Sequence, residues 1–340
     1  MRGLIIIASA VAMACSAPLP IATAAPALPA AASPTASPTA ATTPSPTAVV
    51  GIEFPGVTAL SAPLPSVVWA VTDNKRLFRS TDQGATWVER LGPGTMFPTS
   101  SIAFISAEEG WLLRRGSPAT ECMAQGFELW RTRDGAASWE LIARADSNFR
   151  LNDISFRQCK GAPTFADGKI GILTADDANG EPTIYRTADG GATWRSTRLS
   201  DPPGLAPGTA GSALHTASAK WFGTALVLAT YAWRDGKLIQ FVLRSADNGE
   251  TWTSGPAIEG GDFIALLSRT RWLRFVDGFE ETTDAGGTWH RLVSDYMRQA
   301  PVSPSLVFAD ETVGYAFARF GLARTRDGGR HWESLVMPGL

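Results

Sequence analysis

The chain has 340 residues, 44% of them hydrophobic, and a net charge of −2, which is the composition of an ordinary globular protein. Near-neutrality leaves no basic footprint for nucleic acid, and the region beyond the N-terminus holds no apolar run of the ~18 residues or more that would span a bilayer. The three histidines, His215, His290 and His331, are scattered, so no metal site built on them is expected.

The N-terminus reads differently. Arg2 precedes an apolar run from Leu4 to Ala14 and then Cys15, the pattern of an export signal over residues 1–15. Ala12-Met13-Ala14-Cys15 resembles a bacterial lipobox, which implies lipidation of Cys15; Ala12 stands where Leu is usual. Cleavage after Ala22-Thr23-Ala24, releasing a secreted soluble protein, is the competing reading. Residues 16–49 are almost wholly Ala, Pro, Ser and Thr, too poor in large apolar side chains to fold, and read as a disordered tether. With Cys15 assigned to the anchor, Cys122 and Cys159 remain, and export invites a disulfide between them, two free thiols being the alternative.

From about residue 50 to the end the chain is repetitive. Six segments share one spacing, a Ser or Thr two residues before an Asp and a Trp five after it: Asp82 with Trp87, Asp134 with Trp139, Asp189 with Trp194, Asp247 with Trp252, Asp284 with Trp289 and Asp327 with Trp332. Short strand-like runs flank each segment, so each is expected to be a hairpin turn. The Asp would accept backbone N–H groups, Gly would supply positive φ, and the Trp would pin the hairpin to its neighbour. Two copies depart from the pattern: Ala136 stands at a Gly position, and His331 stands where the residue before the Trp is usually Thr. Upstream of most segments lie two apolar strands, the second often opening on Gly and an aromatic, as in Gly110-Trp111 and Gly314-Tyr315. Four strands per unit, with Asp-to-Asp spacings of 52, 55, 58, 37 and 43 residues, describe propeller blades. The expected fold is all-β, a six-bladed β-propeller of four-stranded antiparallel blades over residues 50–340. A seventh, degenerate blade built partly from residues 45–60 is the alternative.

The Ser/Thr-x-Asp-x-Gly-x-Thr-Trp pattern resembles the Asp-box, or bacterial neuraminidase (BNR) repeat. The resemblance implies a propeller whose boxes join the third and fourth strands of each blade, are structural, and face away from the ligand face. The order "Phe … Gly-Trp … Arg-Thr-x-Asp-Gly-Gly-x-x-Trp" is most similar to the photosystem II stability/assembly-factor-like branch, whose members are exported binding proteins. The resemblance transfers a fold and a habit of binding, because enzymes, receptors and assembly factors all carry the box.

Expansion between the second and third strands of blades 2, 3 and 4 predicts long loops on the face opposite the boxes, where binding residues concentrate. The candidates are Arg114, Arg115, Asp176, Asp177, Tyr231, Trp233 and Arg234, joined by Arg150, Tyr296 and Arg298 from inter-blade loops. The Arg-Ile-Pro motif of sialidases is missing, and none of the four tyrosines sits in a recognisable sialidase context, so no catalytic residue is assigned. Asp176-x-x-Asn179-Gly180 is too short for an EF-hand loop. No cofactor and no metal are expected. The reading is an exported, lipid-anchored, non-catalytic propeller binding a protein or glycan partner. A sialidase-like glycoside hydrolase with an unrecognised site is the alternative.

Overall fold

The computed structural model of the chain describes residues 56–337 apart from 73–74, 95–99, 117–124, 147–150, 152, 156–157, 178–181, 200, 203, 206–213, 235, 262–263, 297–304 and 319–320. The signal, the tether, Cys15, Cys122, Arg150 and Arg298 therefore lie outside the described residues. Of Asp177 and Arg234 the backbone alone is described.

The described chain folds as six antiparallel sheets, each built from consecutive strands. Blade 1 is β1 (Val57–Leu64), β2 (Val67–Thr72), β3 (Leu77–Ser80) and β4 (Val88–Arg90). Blade 2 is β5 (Ser101–Phe104), β6 (Gly110–Arg115), β7 (Phe127–Thr132) and β8 (Glu140–Ala145). Blade 3 is β9 (Gln158–Phe165), β10 (Gly171–Asp177), β11 (Pro182–Thr187) and β12 (Arg195–Arg198). Blade 4 is β13 (His215–Phe222), β14 (Ala225–Arg234), β15 (Lys237–Ser245) and an outer strand in two pieces, β16 (Thr253–Ser254) and β17 (Ile258–Glu259), both paired to β15. Blade 5 is β18 (Ala265–Leu266), β19 (Trp272–Phe275), β20 (Phe279–Thr282) and β21 (His290–Arg291). Blade 6 is β22 (Ser305–Phe308), β23 (Gly314–Ala318), β24 (Gly321–Thr325) and β25 (Trp332–Leu335).

The first strand of every blade lines one central cavity of about 410 Å³. The fourth strands are therefore outermost. The chain is a six-bladed β-propeller, as the repeat count predicts. Its apolar core is divided into six layers, each filling one seam between neighbouring blades. One such layer packs Trp69 and Leu77 of blade 1 with Ile102 and Leu112 of blade 2. The last layer closes the ring by packing Leu60, Val68 and Phe78 of blade 1 with Val313, Tyr315 and Leu322 of blade 6. The second strand of a blade is covered on both faces, which is why β2 reads as an unbroken apolar run and is buried throughout.

The recurrent Gly before the second-strand aromatic has a steric cause. A Cβ at Gly110 would lie 2.2 Å from the Phe104 ring, and one at Gly171 would lie 2.4 Å from Phe165. Those rings are held by the preceding blade: Trp69 stacks on Phe104 at 3.8 Å and Trp111 on Phe165 at 3.7 Å, both at 7°. Small Gly in one blade thus lets a Phe of the same blade lie flat against its neighbour's Trp.

The boxes are the third-to-fourth-strand turns. In box 1 the Ser80 hydroxyl donates to Asp82 Oδ1 (2.7 Å) and accepts the Gly84 N–H (2.7 Å). The Thr86 N–H and hydroxyl donate to Asp82 at 2.8 and 2.6 Å. These Thr86 contacts, with Ser80, hold the Asp82 carboxyl down at about 2. The two residues after each Asp both take positive φ, including Gln83 (62°), Asn248 (58°), Ala285 (63°) and Ala136 (63°). The buried methyl of Ala136 thus occupies the left-handed region where the other boxes place Gly. In box 6 the His331 ring Nδ1 meets Asp327 Oδ2, so imidazole takes the place of the Thr hydroxyl.

Candidate functional site

Two faces of the ring are set by topology. First-to-second-strand turns and boxes share one face, and second-to-third-strand connections with inter-blade segments share the other. On the box face the polar groups are largely consumed by the fold. In boxes 1, 4, 5 and 6 the carbonyl of the residue after the box Asp accepts a guanidinium from the preceding blade. Arg186 Nε donates to Asn248 O (2.9 Å), Arg244 to Ala285 O (3.4 Å), Arg271 to Gly328 O (3.2 Å), and Arg324 to Gln83 O across the closing seam. Most of these arginines immediately precede the box Ser or Thr. Blade 5 has Glu281 there instead, and Glu281 holds Arg271 from the adjacent strand at 2.6 Å. The box carboxylates are therefore turn and seam elements, as the resemblance implies, and they do not converge on a substrate site.

The opposite face is where the sequence candidates gather, though on strands. In blades 3 and 4 part of each expected loop is strand; residues 117–124 of the expected blade 2 loop and 178–181 of the blade 3 loop lie outside the described residues. β14 and β15 stay paired from Leu226↔Ser245 to Arg234↔Lys237. The physical reason is in the sequence: Thr230-Tyr231-Ala232-Trp233 has strong β-propensity, and Asp235-Gly236 is a favoured two-residue hairpin turn. Asp176 and Asp177 likewise end β10, opposite Cys159 and Gln158 of β9. Cys159 is disulfide-bonded; Cys122, its expected partner, is outside the described residues.

Asp176 and Tyr231 are brought together by a residue the sequence reading set aside. His215, the first residue of the channel-lining strand β13, pairs with Tyr231 and stacks on its ring at 5.1 Å. Its Nδ1 lies 3.7 Å from Asp176 Oδ2. The Thr216 N–H and hydroxyl donate to Asp176 at 3.3 and 3.2 Å. Burial pushes the Asp176 carboxyl up from its ordinary value, against these donors. Trp233 stands two residues beyond Tyr231 on the same strand face and is 61% exposed, the one tryptophan among the exposed large apolar side chains. The signal for His215 was positional: it opens an inner strand, beside the end of the neighbouring blade's second strand.

The remaining candidates are placed elsewhere. Arg114 is half-buried, paired with Glu128 (3.2 Å) and donating to Pro93 O (3.2 Å). Arg115 donates to Lys160 O (2.9 Å). Lys160, which sequence reasoning missed, is 1% exposed, with its Nζ donating to Gln125 O and Gln158 O at 2.8 Å each. Burial brings its pKa down to about 8. Tyr296 packs against Phe279 (5.5 Å) and Trp332 (5.3 Å) in the seam of blades 5 and 6, apart from the Asp176 group. Lys220 projects from β13 toward the box end of the cavity, where its Nζ donates to Leu266 O, Phe308 O and Ala309 O and ties blades 4, 5 and 6 together. Among the described residues no group of three or more His, Cys, Asp and Glu side chains is arranged to hold a metal ion.

No protein-family model and no curated protein matches this chain. Solved structures do. An α-L-arabinofuranosidase of Fusarium graminearum, solved with arabinobiose, is 10% identical at a TM-score of 0.50, over 76% of this chain and 86% of that one. YCF48 from Cyanidioschyzon merolae is 15% identical at a TM-score of 0.47, over 80% of this chain and 95% of its own. A YCF48 bound to D1 peptide is 17% identical at 0.46, over 81% of this chain and 94% of that one. At these identities the likeness is one of fold, and the chain is a BNR-type, Asp-box propeller by its own repeat.

Proposed function

We propose that this protein is an exported, lipid-anchored propeller that binds a protein partner through the face opposite its boxes, in the manner of an assembly factor or scaffold and without catalysis. One observation carries the reading. The box face spends its polar groups on turns and seams, whereas the other face presents Trp233, 61% exposed, on the paired strands β14 and β15, one pleat beyond Tyr231 and its neighbours His215 and Asp176. An exposed aromatic on a preorganised element is the usual anchor of an interface. A two-carboxylate glycosidase would need a second carboxyl facing Asp176 across a cleft. The described partners of Asp176 are Thr216 and His215.

The domain plan follows the sequence: residues 1–15 as signal, 16–49 as tether and 50–340 as the propeller. Cys15→Ser is expected to move the protein from the membrane pellet to the soluble fraction; unchanged partitioning would remove the anchor from the account. Trp233→Ala combined with Arg234→Ala is expected to reduce partner capture from cells while leaving the melting temperature nearly unchanged. A large fall in melting temperature would instead make Trp233 a packing residue.

A further inference from the structure

The Asp176 carboxylate is under-supplied with donors. An ionised carboxylate offers about four acceptor positions, and Thr216 meets them with two donors, its N–H and its hydroxyl, at 3.2–3.3 Å, long for bonds to a charged acceptor. Its nearest cationic partner is His215 at 3.7 Å, beyond hydrogen-bond length and charged only when protonated. The carboxyl is nonetheless mostly covered, its side chain 20% exposed. Burying a charge without a matched partner is costly, and among the described residues His215 alone stands by it as a counter-charge.

What flanks it is aromatic. His215 and Tyr231 form a stacked pair beside the carboxylate, and Trp233 extends the row by one pleat, about 7 Å on. A carboxylate at the end of an aromatic row selects for a cation on a long, flat or flexible stem: the charge reaches the acid while the stem lies on the rings. We propose that this row is a recognition site for a basic side chain, arginine above all, of the partner protein, with Asp176 as counter-ion and Trp233 and Tyr231 as platform. Arginine fits better than lysine because its planar guanidinium both stacks on an aromatic face and donates to a carboxylate. The inference rests on the proposed binding face and supplies the chemistry of its contact.

The test uses the full chain, with the indole N–H resonance of Trp233 as reporter. The probes are acetyl-Gly-Arg-Gly-amide and its citrulline counterpart, which keeps the shape and loses the charge. The arginine peptide is expected to shift the Trp233 resonance saturably. Both the citrulline peptide and the Asp176→Asn variant should weaken that response by roughly tenfold or more, the loss of one charge-assisted contact. Asn keeps an acceptor for Thr216, so the fold should hold. Should it not, Tyr231→Leu removes half the platform with the acid intact, and the same weakening is expected. Equal responses to arginine and citrulline would overturn the assignment. So would a neutral oligosaccharide shifting the resonance where the arginine peptide does not, which would make the row a sugar platform. Failure here with partner capture still dependent on Trp233 would sink the arginine site alone. Loss of that dependence would sink the binding face itself.

Discussion

At the scale of single residues, the box shows how much chemistry a turn can hold. The sequence reading expects an Asp accepting backbone N–H groups and a Gly at positive φ, and both are present. Legible only in the structure is that two consecutive residues turn left-handed, so Gln83, Asn248 and Ala285 adopt a conformation usually left to Gly. The tolerance stops at packing: a Cβ on Gly191, at φ 100°, would meet Leu129 at 2.4 Å. His331, a departure from pattern in the sequence, makes box 6 sensitive to pH. Its hydrogen bond to Asp327 raises the imidazole pKa above its ordinary 6.5. A raised folded pKa contributes stability that is full below the unfolded value and lost as pH rises through the folded one. The melting temperature of the protein should therefore fall relative to His331→Thr as the pH rises above 6.5, because the imidazolium loses its charge and the threonine hydroxyl has none to lose. Parallel profiles for the two proteins would contradict the role given to His331.

Elements were legible in proportion to their repetition. The six turns, the buried second strands and the Gly-aromatic starts recur, so blade count and strand order could be read from spacing alone. Where the copies differ, reading by expansion misled. Tyr231 to Arg234 are not loop but strand, paired with Lys237 to Gln240, and the sequence Asp235-Gly236 was the signal available for it. The guanidinium clasps between blades were harder to see, because each joins residues some 40 to 240 positions apart. The exchange in blade 5, where Glu281 replaces the usual Arg and Arg271 takes over its reach, is a paired change that no single copy reveals. Lys160 was missed for a related reason. An isolated lysine in a strand carries no pattern, and its burial is made possible by two carbonyls supplied by the fold.

At the scale of the whole molecule, the two faces of the ring differ in what they leave unused. Blades are joined by stacked aromatics and by arginines that end on the next blade's box. The ring closes when Arg324 reaches Gln83 and the layer around Tyr315 fills. That closure commits the box face to structure. The other face is free to vary from blade to blade, and in blade 4 its hairpin is long enough to carry Trp233 beyond the packed seams. The proposed tether and lipid anchor would let this surface meet partners near a membrane. The most direct measurement is photo-cross-linking in intact cells, with the reactive residue placed at position 233 and, as control, at position 133 in the exposed second box. The account predicts one discrete adduct from 233 and none from 133. Adducts from 133 alone, or the same adducts from both faces, would contradict it.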